Sequence, residues 1–581
     1  MPSALDLAKQ WLAQDRDEGT RREIEDLVKA NNDLELESRL RTRIAFGTAG
    51  LRSSMKAGFA HMNCLTVLQA SHGLAQYILD QDTGQCPDSL SVVIGDDARY
   101  NSERFARLAA AAFLSRGFKV LWFGKLVHTP MVPFAVKKYG AASGVMVTAS
   151  HNPKNDNGYK VYWSNGCQII PPHDSGIAKA IENVGDISTW DDTVVDPDLA
   201  VIHIFDEATN AYNDTLERLI LPLAGTEMPV KFAYTPMHGV GLPFMQEATR
   251  TFGKNVSMHI VQAQALPDPE FPTVPFPNPE EKGALTPAIT DAEQHGCNLI
   301  LANDPDADRF AAVERLEDGR WHQFTGNQMG VLLASFVLDT YHGDRSKLAM
   351  LASTVSSRML ASMAKHEGVS FKDTLTGFKW LGNVAQQLKK YGYDAVYAYE
   401  EAIGYMFSDV VWDKDGVAAA AVFLKACLLW RKQSLTPWKK LQSLYSTYGY
   451  FEDANTYLIS PSPMVTNRVF EDIRKLNAGS RPESVGKRKI LRWRDLTLGF
   501  DSSTPDNIPD LPVDASAQML TCELETVVFT TRGSGTEPKI KLYIEAKAAN
   551  AEIARAEADE VFQDLLTEWF RPEYGLKLAG S

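Results

Sequence analysis

Apolar runs typical of buried strands alternate with amphipathic stretches typical of helices over much of the chain. In the first such region the predicted strands lie at 91–97, 119–124 and 144–150, and the predicted helices lie at 102–117 and 130–140. Strands and helices in alternation indicate a mainly parallel sheet covered by helices. Ligands of such sheets gather beyond the carboxyl ends of the strands, so Ser150 is expected at a ligand site.

The same layout of strands and helices returns twice. The second region has predicted strands at 230–236, 256–261 and 297–304, with helices near 242–253 and 284–295. The third has predicted strands at 347–355, 370–377 and 394–405, with one helix after the first strand and another near 380–391. A polar cluster follows the third strand each time, although the three regions are not sequence repeats.

The pattern changes from about Tyr448 onward. Two predicted strands flank a Gly-rich turn within 527–548, and a final helix is predicted from about Ala551. We therefore predict an α/β protein with three similar domains and a smaller C-terminal α+β domain, which the 581 residues are enough to form. The predicted domains span residues 1–225, 226–322, 323–447 and 448–581.

Composition narrows the class of protein. Hydrophobic residues make up 44% of the chain and charged residues 23%, which is typical of soluble globular proteins. The six cysteines are scattered and form no CxxC pair, so we expect neither a zinc site nor a disulfide framework, and a cytoplasmic location. The N-terminus lacks the apolar core of a signal peptide, and the longest apolar stretch, 417–430, is too short to span a bilayer. The net charge of −14 argues against a nucleic-acid partner, and we expect no membrane partner.

The segment DPDAD places Asp304, Asp306 and Asp308 at alternate positions. Three carboxylates this close repel one another unless a cation neutralises them, and a set of oxygen ligands suits Mg²⁺. An EF-hand loop is excluded because Arg309 and Arg315 stand where it requires Gly and Glu. Taken alone, the segment also fits a solvated acidic run on the surface.

Four other polar segments are candidates for chemistry. The third strand of the first region ends in TASHNP, with Ser150 and His151, and RGSGTEPK at 532–539 offers a guanidinium, hydroxyls and backbone N–H groups to a phosphate. EEAIGY at 400–405 offers carboxylates to sugar hydroxyls, and FGTAGLR ends in Arg52. Each segment taken singly also fits an ordinary turn. HGVG at 238–241 lacks the third glycine of a dinucleotide loop and is predicted to be a turn.

Together these segments resemble the α-D-phosphohexomutase superfamily, which includes phosphoglucomutases and phosphomannomutases. The resemblance rests on GTAGLR at 47–52, TASHNP at 148–153, DPDAD with Arg309, and RGSGTEPK, in the same order over nearly the whole chain. LTGFKWLGN at 375–383, EEAIGYM and DKDGV at 413–417 are most similar to the eukaryotic branch that includes phosphopentomutase. The resemblance implies a heart-shaped arrangement of four domains around a central cleft, with the fourth domain as a lid.

The resemblance also implies roles for individual residues. Ser150 would carry a phosphoryl group, and an oxygen of that group would bind Mg²⁺ together with Asp304, Asp306 and Asp308. Arg52 and Lys160 would be candidates for general acid/base catalysis, and His151 is a further catalytic candidate. The implied substrate-binding residues are Arg309, Thr376, Glu400, Lys414, Arg532, Ser534, Gly535, Thr536 and Lys539.

The implied reaction moves a phosphate between C1 and the terminal carbon of a sugar. It passes through a sugar 1,6-bisphosphate or a pentose 1,5-bisphosphate, which also acts as the activator. Glucose enzymes of the family carry Ser where this chain has Ala402, so ribose 1-phosphate and ribose 5-phosphate are the expected substrates, with deoxyribose and glucose phosphates as further ones. The expected partners are small phosphosugars, and the protein is expected to be a monomer or a weak oligomer.

Two alternatives remain at this point. Glucose 1,6-bisphosphate synthase is a relative with an acyl-phosphate donor, and its motifs would look nearly identical. A non-catalytic phosphosugar-binding protein of the same fold is the other, although every residue that the chemistry needs is present in this chain.

Overall fold

The structure is a computed structural model that describes residues 2–47, 50–81, 90–196, 198–221, 229–534 and 538–579. The chain divides into two compact units. The first contains Met1–Gly343, Lys347–Ala349 and Gly377–Trp438, and the second contains Asp344–Ser346, Met350–Thr376 and Lys439–Ser581. The boundary between the units therefore falls inside the predicted third domain.

Three helices precede the first sheet, and the strand and helix pattern does not predict them. They are α1 (Ala4–Gln14), α2 (Glu18–Lys29) and α3 (Asp33–Leu40). Ser3 begins α1 through a capping box with Asp6, which satisfies backbone N–H groups at the start of the helix. Trp11 is fully buried and packs edge-on against Phe59 at a ring separation of 4.9 Å, so α1 is joined to the core of the first domain.

The first α/β domain follows the predicted order and adds three strands to it. Its elements are β1 (Leu51–Ser54), α4 (Cys64–Gln81), β2 (Ser91–Asp96), α5 (Ser102–Leu114), β3 (Lys119–Trp122), α6 (Met131–Tyr139), β4 (Ser143–Val147), β5 (Asp156–Trp163), α7 (His173–Glu182), β6 (Val201–His203) and α8 (Phe205–Ile220). The sheet order is β1-β5-β4-β2-β3-β6. Strands β4, β2 and β3 are parallel as predicted. The unpredicted strand β6 pairs with β3 in parallel register, and β5 and β1 extend the sheet in antiparallel register.

The second α/β domain has the same plan. Its elements are β7 (Val230–Thr235), α9 (Leu242–Arg250), β8 (Val256–Ile260), α10 (Thr286–Gln294), β9 (Leu299–Asn303), β10 (Phe310–Arg315), β11 (Trp321–Gln323) and α11 (Gly326–Thr340). The order is β11-β10-β9-β7-β8, with β9, β7 and β8 parallel and β10 and β11 antiparallel. The predicted strands and helices of this region are confirmed to within a few residues at their ends.

The third region contains the predicted elements with one correction. They are β12 (Leu348–Ser353), α12 (Met359–Glu367), β13 (Ser370–Thr374), α13 (Phe378–Lys390), β14 (Asp394–Glu400), β15 (Gly404–Phe407), α14 (Gly416–Lys432) and α15 (Pro437–Tyr448). The segment predicted as one strand over 394–405 is the antiparallel pair β14 and β15. Residues 401–403 form the turn between them, because the polar EEA segment does not continue the apolar strand.

Each polar cluster lies in a turn where a third strand reverses direction. The reversals run from β4 to β5, from β9 to β10 and from β14 to β15. A non-glycine residue has a positive φ in each turn: 55° at Ser150, 48° at Ala307 and 51° at Ile403. Such strained backbone persists only where surrounding contacts impose it, and it is common at functional sites.

The C-terminal residues form the predicted α+β domain. Its elements are β16 (Tyr450–Asp453), β17 (Thr456–Ile459), α16 (Pro463–Arg474), β18 (Ser484–Val485), β19 (Arg488–Lys489), β20 (Arg492–Asp495), β21 (Phe500–Asp501), β22 (Met519–Glu523), β23 (Val527–Gly533), β24 (Lys539–Ala548), α17 (Ala551–Glu568) and β25 (Lys577–Leu578). The main sheet has the order β21-β20-β22-β23-β24-β17-β25, with β16 also paired to β24. The predicted pair β23 and β24 and the final helix α17 are confirmed.

No helix in the described part of the chain is long and apolar enough to cross a membrane.

Candidate active site

Ser150 meets the acidic segment in space, although 154 residues separate it from Asp304. The Ser150 hydroxyl lies 2.9 Å from Asp304 Oδ2 and 3.2 Å from His151 Nδ1. The Ser150 N–H donates to Thr148 Oγ1 at 2.8 Å, which fixes the start of the turn after β4. Only 3% of Ser150 is exposed, so its environment is set by protein groups rather than by bulk water.

The acidic segment is buried rather than solvated. Asp304, Asp306 and Asp308 are 0% exposed, and one carboxylate oxygen from each lies within 4.8 Å of the others. Charged groups are rarely buried in this way unless they are paired or bind a metal. The alternative of a solvated acidic run is therefore wrong.

Two lysines from different parts of the chain neutralise part of this charge. Lys160 Nζ, on β5, lies 2.7 Å from Asp306 Oδ2 and 2.8 Å from Asp308 Oδ2. Lys414 Nζ lies 2.9 Å from Asp308 Oδ2. Burial and the charges of Asp306 and Asp308 raise the pKa of Asp304 well above its usual value, so this carboxylate in particular gains from a further cation.

The remaining oxygens fit a small divalent cation. Asp306 Oδ1 and Asp308 Oδ1 are buried and have no hydrogen-bond partner among the described residues. Leaving a buried carboxylate oxygen unsatisfied costs free energy, and a hard cation with oxygen ligands removes that cost. With Asp304 Oδ2 and the Ser150 hydroxyl beside them, these oxygens form the donor set that the sequence predicts for Mg²⁺.

The turn before α9 packs against Pro305 of the acidic segment. A Cβ atom on Gly239 would lie 2.2 Å from the Pro305 Cα, and the Val240 N–H donates to the Pro305 carbonyl at 2.8 Å. Only glycine permits this approach. The prediction that HGVG forms a turn is confirmed, and the turn holds the acidic loop in place.

The predicted acid/base residues have different surroundings. Arg52, on β1, is exposed and lies within the electrostatic influence of Asp306 and Arg309. The Lys160 ammonium is paired with two carboxylates, as described above. Burial and the nearby Arg309 lower the pKa of His151 well below its usual value, so its imidazole is neutral near pH 7. The catalytic roles of these three residues stay predictions.

The glutamate turn of the third region lies beside the acidic loop, within the first unit. Glu400 ends β14, and its Oε1 accepts the Gly377 N–H at 2.8 Å. The Ile403 carbonyl accepts the Phe310 N–H at 3.1 Å, which joins this turn to the first residue of β10. Lys414 bonds to Asp308 from the segment that precedes α14. The structure thus places Ser150, Arg309, Glu400 and Lys414 around the acidic loop.

The predicted phosphate-binding residues lie in the second unit. Arg532 Nη1, at the end of β23, donates to Thr376 Oγ1 at 2.9 Å, so two of these residues are in contact. The Ser534 N–H donates to the Lys539 carbonyl at 2.8 Å, next to the last paired residues of β23 and β24. Gly535 and Thr536 lie outside the described residues.

Three residues that contact Asp306 or the Ser150 turn were not predicted from the sequence. Thr129 Oγ1 donates to Asp306 Oδ2 at 2.6 Å, and the Thr129 N–H donates to the Asp306 carbonyl at 2.9 Å. Arg99 and Asp97 contact the Ser150 turn, as described below. All three follow β2 or β3, and the carboxyl ends of these strands lie at the same edge of the sheet as that of β4. Polar residues after β2 and β3 could therefore have been predicted to lie near Ser150.

Three stretches of the chain match models of known protein domains. Models of the phosphoglucomutase/phosphomannomutase alpha/beta/alpha domains I, II and III match residues 43–187, 210–317 and 325–448. The chain belongs to the phosphoglucomutase/phosphomannomutase family. The prediction of three similar α/β domains is confirmed by these matches.

Within the phosphoglucomutase/phosphomannomutase family, the chain is similar over nearly its full length to several eukaryotic proteins. It is 45% identical to the phosphoribomutase of Saccharomyces cerevisiae, covering 99% of this chain and 97% of the relative. It is 40% identical to the phosphopentomutase of Homo sapiens, covering 97% and 95%. The glucose 1,6-bisphosphate synthase of Homo sapiens is 38% identical, with 96% and 92% covered.

A solved structure supports the fold of this family member. The putative phosphomannomutase from Thermus thermophilus matches with a TM-score of 0.65 at 20% identity, covering 90% of this chain and 99% of that chain.

Proposed function

We propose that the protein is a phosphosugar mutase that interconverts ribose 1-phosphate and ribose 5-phosphate through a phosphoserine at Ser150. The observation that carries the proposal is the contact of 2.9 Å between the Ser150 hydroxyl and Asp304 of a buried three-aspartate cluster. The relatives at 40–45% identity are named phosphoribomutase and phosphopentomutase, which supports the pentose substrate. Deoxyribose and glucose phosphates are proposed as further substrates.

In the proposed reaction, the bond between Ser150 Oγ and phosphorus breaks as a sugar hydroxyl oxygen bonds to that phosphorus. The sugar hydroxyl loses its proton, and Ser150 Oγ gains one. The product is a sugar bisphosphate, which then returns its other phosphoryl group to Ser150. Each transfer therefore balances, and the two together move a phosphate between C1 and the terminal carbon.

The residues near Ser150 suit this chemistry because phosphoryl transfer depends on alignment and on charge neutralisation. A bound Mg²⁺ would neutralise charge on the transferring phosphoryl group, and Asp304, Asp306 and Asp308 would hold it. Neutral His151, 3.2 Å from Ser150 Oγ, is able to exchange a proton with that oxygen. Arg309 would neutralise further charge, and a pentose 1,5-bisphosphate or a hexose 1,6-bisphosphate would serve as activator.

A comparison of substrates tests the proposed function. We expect the highest kcat/KM with ribose 1-phosphate or deoxyribose 1-phosphate and a lower value with glucose 1-phosphate. Synthesis of a sugar bisphosphate from 1,3-bisphosphoglycerate should be slow beside mutase turnover. A bisphosphate-primed enzyme that makes glucose 1,6-bisphosphate faster than it isomerises any pentose phosphate would instead place it with the synthase at 38% identity.

Arg532→Ala should raise KM for phosphosugars more than it slows phosphorylation of Ser150 by a bisphosphate. Arg532 is proposed to bind the phosphate that does not react, and a lost charge-assisted bond of about 1.5–3 kcal/mol corresponds to about a 10- to 100-fold rise in KM. Steady-state kinetics and a phosphorylation time course measure the two effects.

The matched control for Arg532 is Arg468→Ala, which removes an exposed arginine of the same unit and should leave KM unchanged. Normal binding of phosphosugars by the Arg532 variant would move recognition of this phosphate to other residues.

Ala402→Ser should shift preference toward glucose 1-phosphate relative to ribose 1-phosphate. Ala402 lies in the turn between β14 and β15, two residues after Glu400, and a hydroxyl there would be able to bond a hexose hydroxyl. One neutral hydrogen bond contributes about 0.5–1.5 kcal/mol, so the ratio of kcat/KM values should change about two- to ten-fold. An unchanged or reversed ratio would mean that Ala402 does not set specificity.

A further inference from the structure

One guanidinium group binds four backbone carbonyls in and next to the Ser150 turn. Arg99 Nη2 donates to the carbonyls of Ser150 and Asn152, the latter at 2.6 Å. Arg99 Nη1 donates to the carbonyls of Pro153 and Asp156 at 3.0 and 3.3 Å. A single side chain therefore bonds to three carbonyls between β4 and β5 and to the carbonyl of the first residue of β5.

The carbonyl and the hydroxyl of Ser150 bond to different groups. The Ser150 carbonyl points toward Arg99, whereas the Ser150 hydroxyl points toward Asp304. Ser150 adopts this orientation with a left-handed backbone, φ of 55°. A serine does not favour that region unaided, because its Cβ crowds the backbone there.

Arg99 is itself fixed from two sides. Its Nε lies 3.4 Å from Asp97 Oδ2, and Asp97 also accepts the hydroxyls of Thr148 at 2.6 Å and Ser102 at 2.7 Å. The ring of Phe271, from the second α/β domain, lies 5.0 Å from the guanidinium carbon. Arg99 is only 5% exposed, so it is held rigidly rather than bound loosely at the surface.

We propose that Arg99 is a positioning residue that holds Ser150 in the left-handed conformation and thereby aims its hydroxyl at the acidic cluster. The consequence for catalysis rests on the proposed function, whereas the effect on the backbone does not. Lysine is not an equivalent, because its single ammonium group lacks the planar fork with which Arg99 reaches four carbonyls on one side.

A double-mutant cycle tests the backbone effect without reference to activity. Glycine adopts a positive φ readily and alanine does not, so Ser150→Gly should melt above Ser150→Ala, by about 2 °C. If Arg99 imposes the left-handed backbone, this difference should fall to less than half in an Arg99→Lys background. The control is Arg104→Met, which removes a half-exposed arginine of α5 and should leave the difference intact.

Kinetics test the catalytic consequence. Arg99→Lys should slow phosphorylation of Ser150 by a sugar bisphosphate about 10- to 100-fold while KM for ribose 1-phosphate changes less than about twofold. Arg99→Met should do the same, and it supplies a second variant if the lysine variant does not fold. If neither variant folds, Asp97→Asn should weaken the ion pair that fixes Arg99. It should then slow phosphorylation of Ser150 and reduce the glycine–alanine difference in melting temperature, both by smaller amounts.

The outcomes separate the inference from the proposed function. An equal difference between glycine and alanine in both backgrounds overturns the positioning role, whatever the activity. The glycine–alanine difference in melting temperature could disappear in the Arg99→Lys background while the wild type never takes up phosphate at Ser150. That result would support the positioning role and refute the phosphoserine proposal.

Discussion

Ser150→Ala should lose mutase turnover by at least about 10³-fold while the protein remains folded, because the variant has no oxygen to carry the phosphoryl group. The hydroxyl makes one close contact with Asp304 and one with His151, so its removal should change the stability of the fold only modestly. The measurement is steady-state turnover of ribose 1-phosphate after priming with a bisphosphate, together with the melting temperature.

A second serine provides the control for this prediction. Ser164→Ala removes an exposed hydroxyl just after β5 and should retain full turnover. If Ser150→Ala stays near normal activity in a purified and primed sample, the phosphoserine assignment is wrong.

Removal of divalent cations should stop turnover, and restored Mg²⁺ should recover it. Asp306→Asn should reproduce the loss at ordinary Mg²⁺ concentrations, because it withdraws the charge of a buried carboxylate that we propose binds Mg²⁺ while nearly preserving its shape. Mutation of a residue that only hydrogen-bonds to a metal ligand typically lowers metal affinity or activity by about 10- to 100-fold. Loss of a carboxylate that binds the metal itself should therefore lower activity by at least about 100-fold. Turnover measured against Mg²⁺ concentration gives both the rate and the apparent affinity.

Asp318→Asn is the matched control for Asp306. It changes an exposed aspartate between β10 and β11 that bonds to Arg320, and both activity and Mg²⁺ dependence should be unchanged. Full turnover by the chelated wild type would show that the aspartate cluster is not the site of a required cation.

Local patterns along the chain predicted much of the fold. The parallel strands β2, β3 and β4 have apolar runs of ordinary strand length, and the helices between them have clear apolar faces. The antiparallel strands β5 and β1 were not predicted. Gly158, in β5, would place a Cβ only 2.5 Å from the Thr148 carbonyl, so this strand position needs glycine, a residue that local strand propensity disfavours.

The candidate site was predictable where residues carry chemistry in a recognisable spacing. Ser150 and the three aspartates were found in this way, and their contact in the structure is a consequence of turns at two strand ends. Arg99 was missed because its role depends on four backbone carbonyls that only the folded turn places together. The division of the third region between two compact units was also missed, because contact density is not visible in a pattern of apolar positions.

The most direct test of the central claim is the fate of a phosphoryl group placed on Ser150. The enzyme would be phosphorylated with a sugar bisphosphate, freed of excess reagent and mixed rapidly with ribose 5-phosphate in the presence of Mg²⁺. Intact mass and peptide mapping of quenched samples would follow the group. We predict that one phosphoryl group per chain leaves Ser150 at least as fast as kcat and appears in ribose 1,5-bisphosphate. A group that stays on the enzyme, or that maps to another residue, would contradict the account.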